Sequence, residues 1–174
     1  MFVASFIGSP AINLCMSNFD RSTGELQIAD KNIVLPADRK PKAGIDGKVM
    51  VGIRPEAFNF RRDTEHDQSM TIVPDIIESL GSELLVHFEL AAARVPIEMT
   101  AASRSSNSRL NLDVNSSKTV RFIAKLDACS GYQIGQPANV WYSTDHIMIF
   151  ETGTGDTVLP SKSLVAMASD TSSN

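Results

Sequence analysis

The segment Gly44-Ile45-Asp46-Gly47-Lys48-Val49 is the nearest this chain comes to a phosphate-binding loop. Nucleotide hydrolysis needs a cradle of backbone N–H groups followed by a lysine and a magnesium-binding hydroxyl, spaced G-x-x-x-x-G-K-[ST]. Here the glycines stand too close together and Val49 replaces the hydroxyl. The spacing predicts that this chain alone does not hydrolyse ATP. Ser9, in Gly8-Ser9-Pro10, and Ser82, in Leu80-Gly81-Ser82-Glu83, adjoin glycines, but neither belongs to a G-x-S-x-G nucleophile elbow. Both read as turn residues. No H-E-x-x-H or G-x-G-x-x-G occurs, and His66, His87 and His146 stand singly, without metal-ligand spacing. Cys15 and Cys129 are too far apart to suggest a disulfide framework or zinc site, and read as reduced, partly buried thiols of a cytosolic protein. The carboxylates are scattered among loops and strand ends, and no pair suited to acid–base catalysis can be read from them. Neither catalysis nor a resident cofactor or metal is expected.

The elements that would carry a site are short β-strands. Residues Glu25 to Ala29, Asn32 to Leu35, Lys48 to Ile53, Met70 to Ile77, Glu83 to Leu90, Val120 to Leu126 and Ala138 to Tyr142 alternate or cluster apolar and β-branched types. Turn formers bound them: Thr23-Gly24, Pro36, Asp46-Gly47, Pro55, Gly81-Ser82, Ser130-Gly131 and Gly153 to Gly155. Many short strands with regular punctuation favour a barrel or sandwich, with little helix. The clearest hairpin is Val73 to Leu90, turning at Gly81, where His87 is expected to face outward. The stretch from Thr100 to Lys118 is polar and serine-rich, which predicts a mobile loop. The tail 166–174 is expected to fray. An internal echo relates Val51 to Phe60 with Val140 to Ile149: in each a strand runs into an acidic turn, at Glu56 or Asp145, and then into apolar residues. Two related corners of one barrel would produce it, and so would coincidence.

Composition limits the partners. The chain has 174 residues, 43% of them hydrophobic, enough for one domain with a real core or two small ones. A net charge of -4 and only 6% aromatic residues argue against nucleic acid, which calls for clustered cations and stacking platforms. Arg61-Arg62 is followed by Asp63, Glu65 and Asp67 and reads as a solvated loop. The apolar runs fall far short of the roughly 20 residues that span a bilayer as a helix. Phe2 to Pro10 lacks the basic start and long apolar stretch of a signal segment, and a soluble protein is expected.

Four segments, in order, carry a family resemblance. Phe2-Val3-Ala4-Ser5-Phe6-Ile7-Gly8-Ser9-Pro10-Ala11-Ile12-Asn13-Leu14 is similar to the "FVAxFIGSPxMN" junction that follows the ATPase domain in the ATP-binding subunits of maltose-type and glycerol-phosphate-type ABC importers. Val51-Gly52-Ile53-Arg54-Pro55-Glu56 resembles that family's "GIRPE" corner, and Ile77 to His87 its "E-x-LGSE-x-x-V" hairpin. Gly135-Gln136-Pro137 through Gly153 is similar to its "RPGD…LHLFDxxTG" ending. The resemblance implies a mainly β, OB-fold-like small barrel of short antiparallel strands, the transport-associated OB (TOBE) regulatory domain. It implies a junction segment at 1–14, the barrel at 15–165 with a polar loop near 100–118, and a flexible tail at 166–174.

By this resemblance the chain would be a non-catalytic regulatory and dimerisation domain. Its partners would be a second copy of the domain, the missing ATPase domain and, indirectly, the membrane permease subunits. ATP and magnesium would belong to the parent subunit, which would sit in the cytoplasm at the inner face of the plasma membrane. Arg54, Pro55 and Glu56 can form either a structural tie or a charge pair across an interface. Gly81, Ser82 and Glu83 are the matching hairpin candidates. Phe2, Phe6 and Ile7 would pack on the ATPase domain and be exposed without it. Ala91 to Lys118 is longer and more serine-rich than the family's usual link, and Cys129 to Tyr132 stands where relatives tend to be rich in Arg and Pro. Met1 directly precedes the junction, so the chain is expected to be either an excised fragment or the product of a truncated gene. The alternative from another class is a free-standing β-barrel that binds a small oxyanion or sugar.

Overall fold

The computed structural model describes residues 10–41, 44–95 and 119–159. Phe2, Phe6 and Ile7, the polar stretch 100–118 and the tail 166–174 lie outside the described residues. The architecture is mainly antiparallel β, in small sheets that curve around a shared core, as the sequence suggested. In chain order the strands are β1 (Asn13–Asp20), β2 (Glu25–Ile28), β3 (Lys31–Val34), β4 (Gly47–Ile53), β5 (Phe58–Asn59) and β6 (Asp67–Ile72), followed by β7 (Pro74–Ser79), β8 (Glu83–Leu90), β9 (Val120–Asp127), β10 (Ala138–Ser143), β11 (Met148–Glu151) and β12 (Thr157–Leu159). They form one six-stranded sheet, β12-β11-β4-β1-β2-β3, and two three-stranded sheets, β5-β10-β6 and β7-β8-β9.

The stretch Met70 to Ile77, expected as one strand, is two. Pro74 has no N–H to offer a ladder, and the chain breaks at Val73. Residues up to Ile72 pair with β10, whereas residues from Pro74 pair with β8, so the break transfers the chain between sheets. The hairpin that follows has the expected turn: Ser79 pairs with Leu84, Leu80 N donates to Glu83 O at 2.8 Å, and Gly81 takes φ +91°, a region that disfavours a Cβ. Strands β1, β5, β11 and β12 were not read from the sequence.

Period-two alternation fills the interior. On β8 and β9, Val86, Phe88, Phe122 and Ala124 point inward and are fully buried. Phe88 meets Phe58 edge-on at a centroid distance of 6.0 Å, and Phe58 meets Tyr142 at 6.1 Å, so the aromatic cluster joins the two three-stranded sheets. His87 lies on the other face of β8, as expected, but its side chain keeps only 14% exposure, with Nε2 2.7 Å from Glu78 Oε1.

Two polar side chains add ties between separate sheets. Asn13, 5% exposed at the start of β1, donates from Nδ2 to Ile123 O at 2.8 Å and to Ile53 O at 3.0 Å. Its Oδ1 accepts from Ile123 N at 2.6 Å. The amide thus reproduces a peptide group and pairs with the outer edge of β9, closing the gap between the large sheet and the β7-β8-β9 sheet. Lys31, on the edge strand β3, donates from Nζ to Ser69 O of β6 at 2.6 Å and ties the large sheet to the third.

Candidate functional site

The candidate residues Arg54, Pro55 and Glu56 occupy a corner built twice. After β4 the chain makes a 3-10 turn, Pro55–Ala57, with Arg54 as the preceding cap and Phe58 N donating back to Pro55 O. After β10 it makes a second, Thr144–His146, capped by Ser143, with Ile147 N donating to Thr144 O. The two align residue for residue along the echo seen in the sequence, Arg54 on Ser143, Pro55 on Thr144 and Glu56 on Asp145. They also face one another. Gly52 pairs with Met148, and Tyr142 with Phe58, so a single antiparallel ribbon bends at both turns and passes from the large sheet to the β5-β10-β6 sheet. The echo is therefore a local two-fold relation and not a coincidence of composition.

Proline suits the first turn because its ring presets φ at the first helical position, where an N–H would have no helical acceptor. Pro55 and Thr144 are buried while Glu56 is exposed, so a carboxylate is presented from a fixed backbone. Glu56 lies at the rim of a cavity of about 400 Å³ also lined by Asp63, Asp67, Trp141, Asp145 and His146.

Two of its acids, Asp67 and Asp63, are engaged structurally. Burial raises the Asp67 carboxyl, but hydrogen bonds from Thr64 Oγ1 and from the Asp63 and Thr64 N–H groups outweigh it and hold the pKa below the usual carboxylate range. Asp67 is therefore an anchor for the Asp63–Thr64 turn and a poor proton donor. Asp63 accepts from Asn59 Nδ2. Beneath the second turn, Arg39 is 3% exposed and donates from Nη2 to Ile147 O at 2.7 Å and Thr144 O at 3.5 Å. Desolvation lowers its pKa, opposed by the charges of Asp145 and Asp38.

Gly81, Ser82 and Glu83 stand at the tip of the β7–β8 hairpin. Ser82 O accepts from Ala128 N at 3.0 Å, and Glu83 Oε1 lies 2.9 Å from Lys125 Nζ. None of the three lines the cavity beside Glu56. What the two motifs share is β9: its end pairs Asp127 with Glu83, and the Pro55–Ala57 turn and β5 pack along it. The structure places both motifs around one strand without merging them into one cleft.

The thiols are poor nucleophiles. Burial pushes Cys15 up to about 12, and Cys129, which is exposed, is raised chiefly by its hydrogen bond with Asp127. Lys48 follows Gly47, φ +82°, directly into strand β4, without the loop-to-helix context of a phosphate cradle. Among the described residues no group of three or more His, Cys, Asp or Glu is placed to hold a metal ion, and no helix is long and apolar enough to cross a membrane.

Asn13 and Arg39 were not singled out in the sequence as structural ties. Asn13 ends the junction signature, which labels the family but says nothing about the acceptor 110 residues away. Arg39 follows a proline turn beside Asp38, a context that reads as solvated.

No family model matches the chain. It is similar to the sulfoquinovosyl glycerol transport ATP-binding protein SmoE of Agrobacterium fabrum, 35% identical over 130 residues, covering 71% of this chain and 35% of that protein. It is 30% identical over 138 residues to the uncharacterized ABC transporter ATP-binding protein YurJ of Bacillus subtilis, covering 73% of this chain and 37% of the relative. It is 32% identical over 126 residues to the sn-glycerol-3-phosphate import ATP-binding protein UgpC of Chromobacterium violaceum, covering 71% and 33%. The chain thus spans about a third of the length of the curated relatives it matches.

Proposed function

Because the chain is a homologue of the ATP-binding subunits of ABC importers for sugars and glycerol phosphate, we propose that it is their regulatory and dimerisation barrel. In this reading it performs no chemistry. It holds a second copy of itself and so sets the spacing of two ATPase domains, whose ATP and magnesium drive uptake through permease subunits at the cytoplasmic face of the membrane.

The observation that carries this reading is the doubled corner. A ribbon fixed at both turns, by buried Pro55 and by Arg39 under Thr144–His146, presents the exposed Glu56 from a backbone that has little freedom to move. A rigid charged projection loses little entropy on docking and suits an interface better than a mobile loop. The paired charges Glu83 and Lys125 at the hairpin add a polar rim.

Cysteine cross-linking tests where the copies meet. Glu56→Cys, in a background carrying Cys129→Ser, is expected to form a covalent dimer on mild oxidation faster than the same background carrying Glu65→Cys. Equal rates at the two exposed positions would remove the corner from the interface.

A further inference from the structure

The large sheet has two apolar faces, and the shared core uses one of them. On the other, Ile12, Met50, Met148 and Phe150 form a second buried cluster, separate from the core around Cys15, Val51 and Ile149. Alternation puts them there. Met16↔Met50↔Phe150 and Leu14↔Gly52↔Met148 are successive outer rungs across β1, β4 and β11, while Cys15, Val51 and Ile149 face inward. Gly52 keeps the outer face close-packed: a Cβ there would stand 2.8 Å from Ile12 Cδ1 and 2.9 Å from Phe150 Cε2, so the missing side chain is what lets the two converge.

Met50 and Phe150 are 0% exposed and Met148 1%. Side chains on the outside of a sheet are sealed to this degree when a second layer lies on them. Among the described apolar residues packed on the cluster, Leu14 and Met16 belong to the sheet itself, and Val95 comes from outside it. Val95 arrives at the β1 margin, close to Ala93, whose O accepts from Met16 N at 2.9 Å. One side chain at that margin does not seal Met148 and Phe150 on β11, two strands away.

The sequence supplies a layer of the right size and place. The segment 2–7, Phe2-Val3-Ala4-Ser5-Phe6-Ile7, carries no charge. Wound as a helix, it would gather Phe2, Val3, Phe6 and Ile7 on one side and leave Ala4 and Ser5 on the other. Such a helix spans about 9 Å, and the two interstrand steps from β1 to β11 are about 10 Å. The segment also adjoins the face. Ile12 belongs to the cluster, and the intervening Gly8-Ser9-Pro10 offers turn formers that can reverse the chain over the sheet. The tail beyond Leu159 starts from the wrong side, because Leu159 pairs with Ile149 and is buried in the shared core with it.

We propose that the segment 2–7 docks on the outer face of the large sheet of its own chain, setting Phe2, Val3, Phe6 and Ile7 against Ile12, Met50, Met148 and Phe150. The junction signature is then the cover of the barrel as well as its link, and the face orders it, since so short a helix does not hold alone. The inference does not rest on dimerisation.

Nuclear Overhauser contacts in the full chain, labelled at its methionine methyls, give the test. The Met50 and Met148 methyls are expected to contact the Phe2 and Phe6 rings, at a strength that is kept when the labelled chain is diluted into an excess of deuterated chain. Phe2→Ser combined with Phe6→Ser should abolish these contacts, shift both methyls and open them to a soluble nitroxide, while the Met70 methyl in the shared core stays unmoved. Leu164→Ser in the tail should leave all of this unchanged. The contacts are read on the unaltered chain, so the test stands even where the substituted chain loses its fold. The proposal is overturned if the rings make no contact with the two methyls, or if dilution removes the contacts and so assigns them to a second copy. It is equally overturned if both methyls stay sealed without the Phe2 and Phe6 rings, or if Leu164→Ser opens them instead.

Discussion

Replacing Asn13 by alanine removes a side chain that substitutes for a strand. Its amide makes three hydrogen bonds, two to Ile123 and one to Ile53, where burial leaves little room for water. Deleting it strands one N–H and two carbonyls, at about 1 kcal/mol each or somewhat more, so Asn13→Ala should cost about 2–4 kcal/mol. In a chain of this size that lowers Tm by about 5–15 °C. Urea unfolding measures the loss, and an unchanged m-value would show that the denatured state is unaltered. Hydrogen exchange locates it: the Ile123 amide, whose acceptor is removed, should lose far more protection than Val86 in the neighbouring strand. Asn13→Asp sharpens the test. The introduced carboxyl, buried beside two carbonyls, should have a folded pKa above its unfolded value of about 3.9. Its folded state is then least destabilised below that pH and loses stability as pH rises toward the folded pKa. A cost of Asn13→Ala below about 1 kcal/mol, or an Ile123 amide as protected as before, would refute the joint.

Other outcomes follow from the same contacts. Arg39→Ala should cost about 3 kcal/mol or more, seen as a lower urea midpoint, because it leaves the Thr144 and Ile147 carbonyls and the nearby Asp145 charge without their buried partner. Asp67 has a lowered folded pKa, so it stabilises the fold above its unfolded pKa and ceases to do so as pH falls through the folded value. Asp67→Asn should therefore melt earlier than the parent at neutral pH, with the gap closing on acidification, as thermal scans across pH would record. A thiol reagent should modify one cysteine in the native chain, the exposed Cys129, and that slowly, since Asp127 raises its pKa; Cys15 should react only in denaturant. Rapid native labelling of both would contradict the packing around β1.

Much of the fold was legible because period-two alternation between turn formers is a local signal. Strands β2, β4, β8, β9 and β10 and the Gly81 turn follow from it. The break at Pro74 was also written in the sequence, since a proline inside a strand run disfavours continuity, but the apolar residues on either side masked it. Strand β1 alternates as well, yet it begins inside the junction signature and was read only as a family label. The echo of Val51 to Phe60 in Val140 to Ile149 gave the doubled corner, while its antiparallel register needed coordinates. What no local pattern holds is the long-range polar bonding: Asn13 to Ile123, Lys31 to Ser69 and Arg39 to Ile147 each join residues far apart in sequence.

Self-association is the central claim, and sedimentation equilibrium of the intact chain tests it most directly. The expected result is a monomer–dimer equilibrium that shifts to dimer from micromolar to millimolar concentration and back toward monomer in Glu56→Arg, with Tm unchanged. A strict monomer throughout that range would contradict it.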